Sequence, residues 1–283
     1  MQVTGTSFRV LAGAIPSLDL LGYKQFHVAN EVVRYACHLF ELSSGRPIAI
    51  VDGQHVTGYR TAASAAVAVG GVFDPGTAVR VAIVGSGLEA RHGLAAVAAV
   101  RPVASATVFS PNPTSRDSFA REMAAELGIP VTAASTVAEA AAGCDLVYAA
   151  TDSRGRVVVE RGDLHGVRML VTVGSTIPIQ RETAAAVFGA AASLVVDTRD
   201  AFAASGDLIA AYDQPPKFLS LGELISVDSA MPGGLIIYKS IGSAEQDLVL
   251  ASCLAELAVE RGFGTRVKAV STGRLLSKGR ARK

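Results

Sequence analysis

The chain has 283 residues, half of them hydrophobic and 18% charged, which excludes a disordered protein and allows one large domain or two modest ones. A formal net charge of +1 at pH 7 leaves no basic surplus that would point to nucleic acid. No apolar run reaches the length of a bilayer span, so no membrane partner is expected.

The first residues lack a basic leader, and Asp19 interrupts "AGAIPSLDLLG", which argues against a secretory signal. Residues 1–60 carry polar, alternating strands such as "YACHLFEL" and "RPIAIVDG". "RTAASAAVAVGGVF" (60–73) reads as a helix leading into the middle of the chain. There "AVRVAIVG" (78–85), "SATVFS" (105–110), "DLVYAAT" (145–151), "VRMLVTVG" (167–174) and "ASLVVDT" (192–198) read as strands. Helical patterns at 88–102, 116–129 and 136–144 alternate with them. Strands that alternate with helices, and that are apolar along their whole length, predict a parallel sheet covered on both faces. Near the end, "SAEQDLVLASCLAELAVERGFG" predicts a helix burying Leu248, Ala251, Leu254, Leu257 and Ala258, and "SKGRARK" predicts a solvated tail. Cys37, Cys144 and Cys253 are odd in number and widely spaced, without disulfide or zinc spacing. They read as buried thiols in a reducing cytoplasm, and no metal site is expected.

The fold class is therefore α/β: a Rossmann-type doubly wound parallel sheet inserted in a smaller α+β substrate and dimerisation domain. The expected boundaries are 1–66 for the first part of the smaller domain, 67–240 for the nucleotide domain and 241–283 for the returning helix and tail.

"VAIVGSGLEARHG" places Gly85-Ser86-Gly87-Leu88-Glu89-Ala90, a G-x-G-x-x-A pattern, between a buried strand and a helix. The first glycine permits a tight turn, the second lets backbone approach a pyrophosphate, and small Ala90 allows close strand–helix packing. The helix N-terminus then supplies amide donors to the phosphates. The second strand ends at Phe109-Ser110 rather than at an acid, and the next acid, Asp117, lies inside the following helix. Ser110, Asn112, Thr114, Ser115 and Arg116 offer hydroxyls and a guanidinium that suit a 2′-phosphate, which a carboxylate would repel. NADP(H) is thus the preferred cofactor, with NAD(H) possible.

Together with "LLGYK", "TGYRTAASAA", "VDTRDAFAASGDL" and "IIYKSIGSAEQDL", this loop resembles the ornithine cyclodeaminase/μ-crystallin family over residues 15–266. That family includes deaminating cyclases, alanine dehydrogenases, ketimine reductases, opine-like synthases and a hormone-binding crystallin. The resemblance implies that Lys24 and Arg60 hold a substrate carboxylate, as two fixed cations can. It implies that Thr151 borders the cofactor, that Val173 and Gly174 pass close to the nicotinamide, and that Ser240 and Gly242 lie near its carboxamide. Tyr23 and His27 flank Lys24 and either line the pocket or pack. The family carries a longer leading segment before the Gly-x-Lys element, so a shortened first domain and a weakened homodimer are expected. Deaminating members carry aspartate where this chain has Thr176, which either caps the turn before Pro178 or holds the substrate nitrogen or a water. The expected function is NADP(H)-dependent reduction of a cyclic or substituted imino acid. The alternatives are ornithine cyclodeamination and non-catalytic binding of NADPH and a carboxylate ligand.

Overall fold

A computed structural model describes residues 2–3, 6–30, 32–226 and 231–267. The tail "SKGRARK" lies outside the described residues. The chain divides into two compact units, one formed by Met1–Val56 with Ala244–Lys283 and the other by Thr57–Ser243.

The first unit is an antiparallel sheet of β1 (Gln2–Val3), β2 (Thr6–Ile15), β3 (Leu20–Ala29), β4 (Val32–Glu41) and β5 (Pro47–Asp52), in that spatial order. Strand pleating puts alternate residues on opposite faces. Lys24 pairs across to Leu11 and Cys37, and Gly22 to Gly13 and Leu39, so these residues share one face. The C-terminal helix, Ala244–Glu260, covers that face, where Leu248 and Ala251 join Leu20, Cys37 and Leu39 in one core. Side chains at Gly13 and Gly22 would collide with the helix, at Ala244 Cβ (3.0 Å) and Leu248 Cδ2 (2.8 Å) respectively. The helix buries Ala244, Asp247, Leu248 and Ala251. Leu257, expected on the buried face, is exposed because the helix has by then run past the core, whose last members are Leu254 and Ala255. Cys253 is also exposed, unlike the buried Cys37 and Cys144, because it points off the opposite side of this helix.

The helix α1 (Gln54–Val72) is longer at its N-terminus than the pattern at 60–73 suggests, and from Thr57 onward it belongs to the second unit. Its sheet contains β6 (Val79–Val84), β7 (Val103–Phe109), β8 (Val131–Ala134), β9 (Leu146–Ala149), β10 (Met169–Thr172), β11 (Ser193–Val196), β12 (Leu219–Ser220) and β13 (Ile236–Lys239). All neighbours are parallel, in the order β12-β11-β13-β10-β9-β6-β7-β8. Every residue of β9, β10 and β13 is buried, and a separate hydrophobic cluster lies on each side of the sheet. The chain leaves β6 toward β7 and β8, then returns to the other side of β6 for β9. That reversal opens a crevice at the carboxyl ends of β6 and β9, where doubly wound sheets bind ligands. No helix among the described residues is long and apolar enough to cross a membrane.

Candidate functional site

Gly85, at the end of β6, has a left-handed φ of +114°, and a side chain there would strike the carbonyl of Ala150. Its amide donates to Phe109 O at 2.8 Å, which ties the turn to β7. Gly87 is the N-cap of α2 (Leu88–Val100) and supplies no side-chain cap to the first-turn amides. Nothing lies within 4 Å of where its Cβ would be, so the space beside the helix N-terminus is open to a phosphate. Ala90 is fully buried, and Gly93 allows α2 onto the ring of Tyr148 in β9. An uncapped helix N-terminus, a left-handed glycine and close strand–helix packing fit a dinucleotide.

At the end of β7, buried Ser110 shares a hydrogen bond of 3.0 Å with Ser86. The expected loop from Ser110 to Arg116 is in part helix: α3 spans Pro113–Leu127, because the side chain of Asn112 accepts from Ser115 N and Pro113 takes the first helical position. Arg116 thereby turns back and donates from Nη1 to Ser110 O at 3.1 Å. The strand end therefore presents hydroxyls, an amide side chain and a guanidinium.

The ends of β9 and β10 meet around a residue that sequence reading missed. Glu182 is fully buried. Its Oε2 accepts from Thr151 N at 3.0 Å and Thr151 Oγ1 at 2.9 Å, and its Oε1 accepts from Thr172 Oγ1 at 2.6 Å and Gly174 N at 2.7 Å. Asp207 Oδ1 accepts from the amides of Glu182 (2.9 Å) and Thr183 (3.2 Å). Lys239, also fully buried, lies 3.8 Å from Asp207 Oδ2 and donates to Thr172 O at 3.3 Å. Burial pushes the Glu182 carboxyl up and the Lys239 ammonium down, and their mutual attraction opposes both shifts. The available signal was the acid in "VGSTIPIQRE", closely following an apolar strand. Its partners are too distant in sequence to be read from the pattern.

Val173 is buried. Thr176 lies exposed in the turn, where its hydroxyl donates to Gln180 Oε1 at 3.2 Å and its amide to the same atom at 3.1 Å. Ser175, not Thr176, anchors this turn inward, donating to Gln180 O at 2.7 Å and accepting from Asp207 N at 3.2 Å.

After β13, Asp197 gathers Ser240 Oγ (2.7 Å), Ile241 N (3.1 Å) and Gly242 N (2.7 Å). Gly242 has φ +84°, and a side chain there would occupy the position of the Arg60 guanidinium. Arg60, on α1, is thus seated directly against this turn. Asp197 too was missed as a site-forming residue.

In the first unit, Lys24 Nζ lies 2.7 Å from Asp247 Oδ2, with both side chains almost wholly buried. Tyr23 and His27 cannot accompany Lys24, because the pleat turns them to the opposite face. There Tyr23 stacks on His38 at a centroid distance of 4.6 Å.

Residues 25–262 match the family described as ornithine cyclodeaminase/mu-crystallin. A Delta(1)-pyrroline-2-carboxylate reductase of Bacillus cereus is 26% identical over 92% of this chain and 84% of its own length. The ketimine reductase mu-crystallin of Rattus norvegicus is 28% identical over 82% of this chain and 72% of its own. The structure of the Thermococcus litoralis Delta(1)-pyrroline-2-carboxylate reductase in complex with NADH and L-proline aligns with a TM-score of 0.78 at 25% identity, covering 93% of this chain and 90% of that one. The chain belongs to the ornithine cyclodeaminase/mu-crystallin family.

Proposed function

We propose that the protein is an NADP(H)-dependent oxidoreductase that reduces a cyclic or substituted imino acid bearing a carboxylate beside the imine carbon. The reading rests on the uncapped N-terminus of α2 behind Gly85, at the carboxyl edge of an all-parallel sheet. The reductases among its relatives give the reaction class.

A nicotinamide held here would supply hydride chemistry for a C=N carbon. The chain's part is placement. Gly85, Ser86, Gly87 and Leu88 receive the pyrophosphate. Ser110, Asn112, Ser115 and Arg116 form the surroundings of a 2′-phosphate, and the missing acid at Ser110 favours NADP(H). Thr151, Val173, Gly174, Ser240 and Gly242 border the nicotinamide. Arg60 and Lys24 each contribute positive charge toward the substrate carboxylate. The imine nitrogen binds already protonated, so Thr176 need only offer a hydroxyl and no titrating group.

A homodimer is part of this proposal. The sheet face opposite Lys24 exposes Phe8 (41%), Val10 (49%), Ile48 (47%) and Ile50 (61%), an apolar surface suited to a second copy. The free thiols of Cys37, Cys144 and Cys253 suit a cytoplasmic setting.

The test follows NADPH absorbance with Delta(1)-pyrroline-2-carboxylate as substrate and ornithine in parallel. Consumption with the cyclic imine is expected. Proline and ammonia from ornithine would favour cyclodeamination, and tight NADPH binding without turnover would favour a binding protein.

A further inference from the structure

We infer that Glu182 is a positioning residue for the nicotinamide half of the cofactor, an inference that rests on the dinucleotide reading above. All four of its side-chain hydrogen bonds end on Thr151, Thr172 and Gly174, at the carboxyl ends of the adjacent strands β9 and β10. One carboxylate therefore fixes two loops in a single register. Oε2 holds the backbone and hydroxyl of Thr151, while Oε1 holds the backbone of Gly174 and the last side chain of β10.

Gly174 shows how close this clamp is. A Cβ there would run into Glu182 Oε2 and into Thr151 O, so the absence of a side chain at 174 is a condition of the carboxylate's position. Glu182 is in turn held from behind, because its own amide donates to Asp207 Oδ1, and Asp207 faces Lys239. A buried group of three ionisable side chains is a poor way to gain stability, since desolvation offsets most of the Coulombic attraction. It is an effective way to fix backbone amides in one direction. The adenosine side is built from other parts: Ser86, Ser110 and Arg116 hydrogen-bond at the ends of β6 and β7, without Glu182.

That separation supplies the test. Glu182→Gln preserves shape but turns one acceptor oxygen into a donor NH2, which must face an N–H of Thr151 or Gly174. Binding of NADPH or NADH, whichever the wild type holds more tightly, is titrated by fluorescence. Adenosine 2′,5′-bisphosphate or ADP, which lack the nicotinamide, are titrated by competition or calorimetry. The variant is expected to bind the dinucleotide about tenfold more weakly and the adenosine fragment as the wild type does. Unchanged dinucleotide binding in a folded Glu182→Gln protein would overturn the inference. An equal loss for dinucleotide and fragment would also overturn it, because a general structural role moves both. If Glu182→Gln does not fold, Thr172→Val, which removes one hydroxyl donor to Glu182 Oε1 at a residue not placed against the cofactor, carries the same comparison with a smaller split. A folded Thr172→Val protein without that split likewise counts against the inference. A wild-type protein that binds no dinucleotide would show instead that the cofactor reading is wrong, and the inference falls with it.

Discussion

Gly174 and Glu182 fit each other by default of a side chain: the glycine amide donates to Glu182 Oε1 at 2.7 Å, and the second carboxylate oxygen lies within clashing distance of the missing Cβ. Gly174→Ala should therefore push the carboxylate off its four donors or displace the backbone of Thr151. The expected loss is about 1–3 kcal/mol of stability, as for other overpacked sites. Chemical denaturation of the variant checks it, and a wild-type midpoint would show that the corner has slack.

The proposed cofactor preference rests on the end of β7. The protein is expected to bind NADPH more tightly than NADH, and Ser110→Asp should reverse the order by placing a carboxylate against the 2′-phosphate. Titration of both reduced cofactors against both proteins decides it. Tighter NADH binding by the wild type would sink the assignment.

Arg60→Ala should lower kcat/KM by about ten- to a hundredfold while leaving NADPH binding close to wild type, through loss of a charge-assisted contact worth about 1.5–3 kcal/mol. Lys24→Ala should show a comparable kinetic loss and also a fall in melting temperature, through loss of its buried ion pair with Asp247. Kinetics normalised to folded protein separate the two effects. Wild-type turnover in both variants would remove the carboxylate assignment.

Thr176 is expected to leave the protein without significant ornithine cyclodeaminase activity. Deamination and ring closure move protons repeatedly, and a hydroxyl that donates to Gln180 is no proton store near neutral pH. Assaying proline and ammonia from ornithine with purified wild type tests this, and robust production of both would refute it.

The acid limb of stability should depend on Asp145. Its carboxylate accepts from Arg80 N at 2.9 Å, Nε at 3.1 Å and Nη2 at 2.9 Å, and the guanidinium holds its pKa below the ordinary aspartate range. A carboxyl whose pKa is lowered on folding contributes stability that is complete above the unfolded pKa of about 3.9 and is lost as pH falls through the folded value. The pair is partly exposed, so solvent screening keeps the contribution small. Asp145→Asn should be less stable than wild type at neutral pH and converge with it in strong acid. Denaturation curves at several pH values read the difference, and a constant gap at every pH would be contrary to expectation.

What the sequence made legible was local. The turn at Gly85–Ala90 carries its own signal, because φ, packing and helix capping are fixed within a few residues, and the alternating apolar strands announced a parallel sheet. β2 went unread because "TSFRVLAGAI" mixes glycine and alanine into its alternation, and its pairing with β3 shows only in space. The Glu182–Asp207–Lys239 group was hidden for a related reason. Each member is an ordinary charged residue in the chain, and only the sheet order brings β10 beside β13. The pairing of Lys24 with Asp247 spans nearly the whole sequence. The opposite facing of Tyr23 and His27 could have been read from strand periodicity alone, since odd offsets from Lys24 change face.

The smaller unit takes its pieces from both ends of the chain, and this gives the protein an order of assembly during synthesis. Thr57–Ser243 leaves the ribosome whole and can close its own core at once. The strands β2–β5 emerge earlier yet must wait for the helix that covers them, roughly ten to forty seconds at ribosomal rates of roughly 5–20 residues per second. Throughout that interval Leu20, Cys37 and Leu39 lack their lid of Leu248 and Ala251. The nascent protein thus completes the core of Thr57–Ser243 before the apolar face of β3 and β4 receives its covering helix.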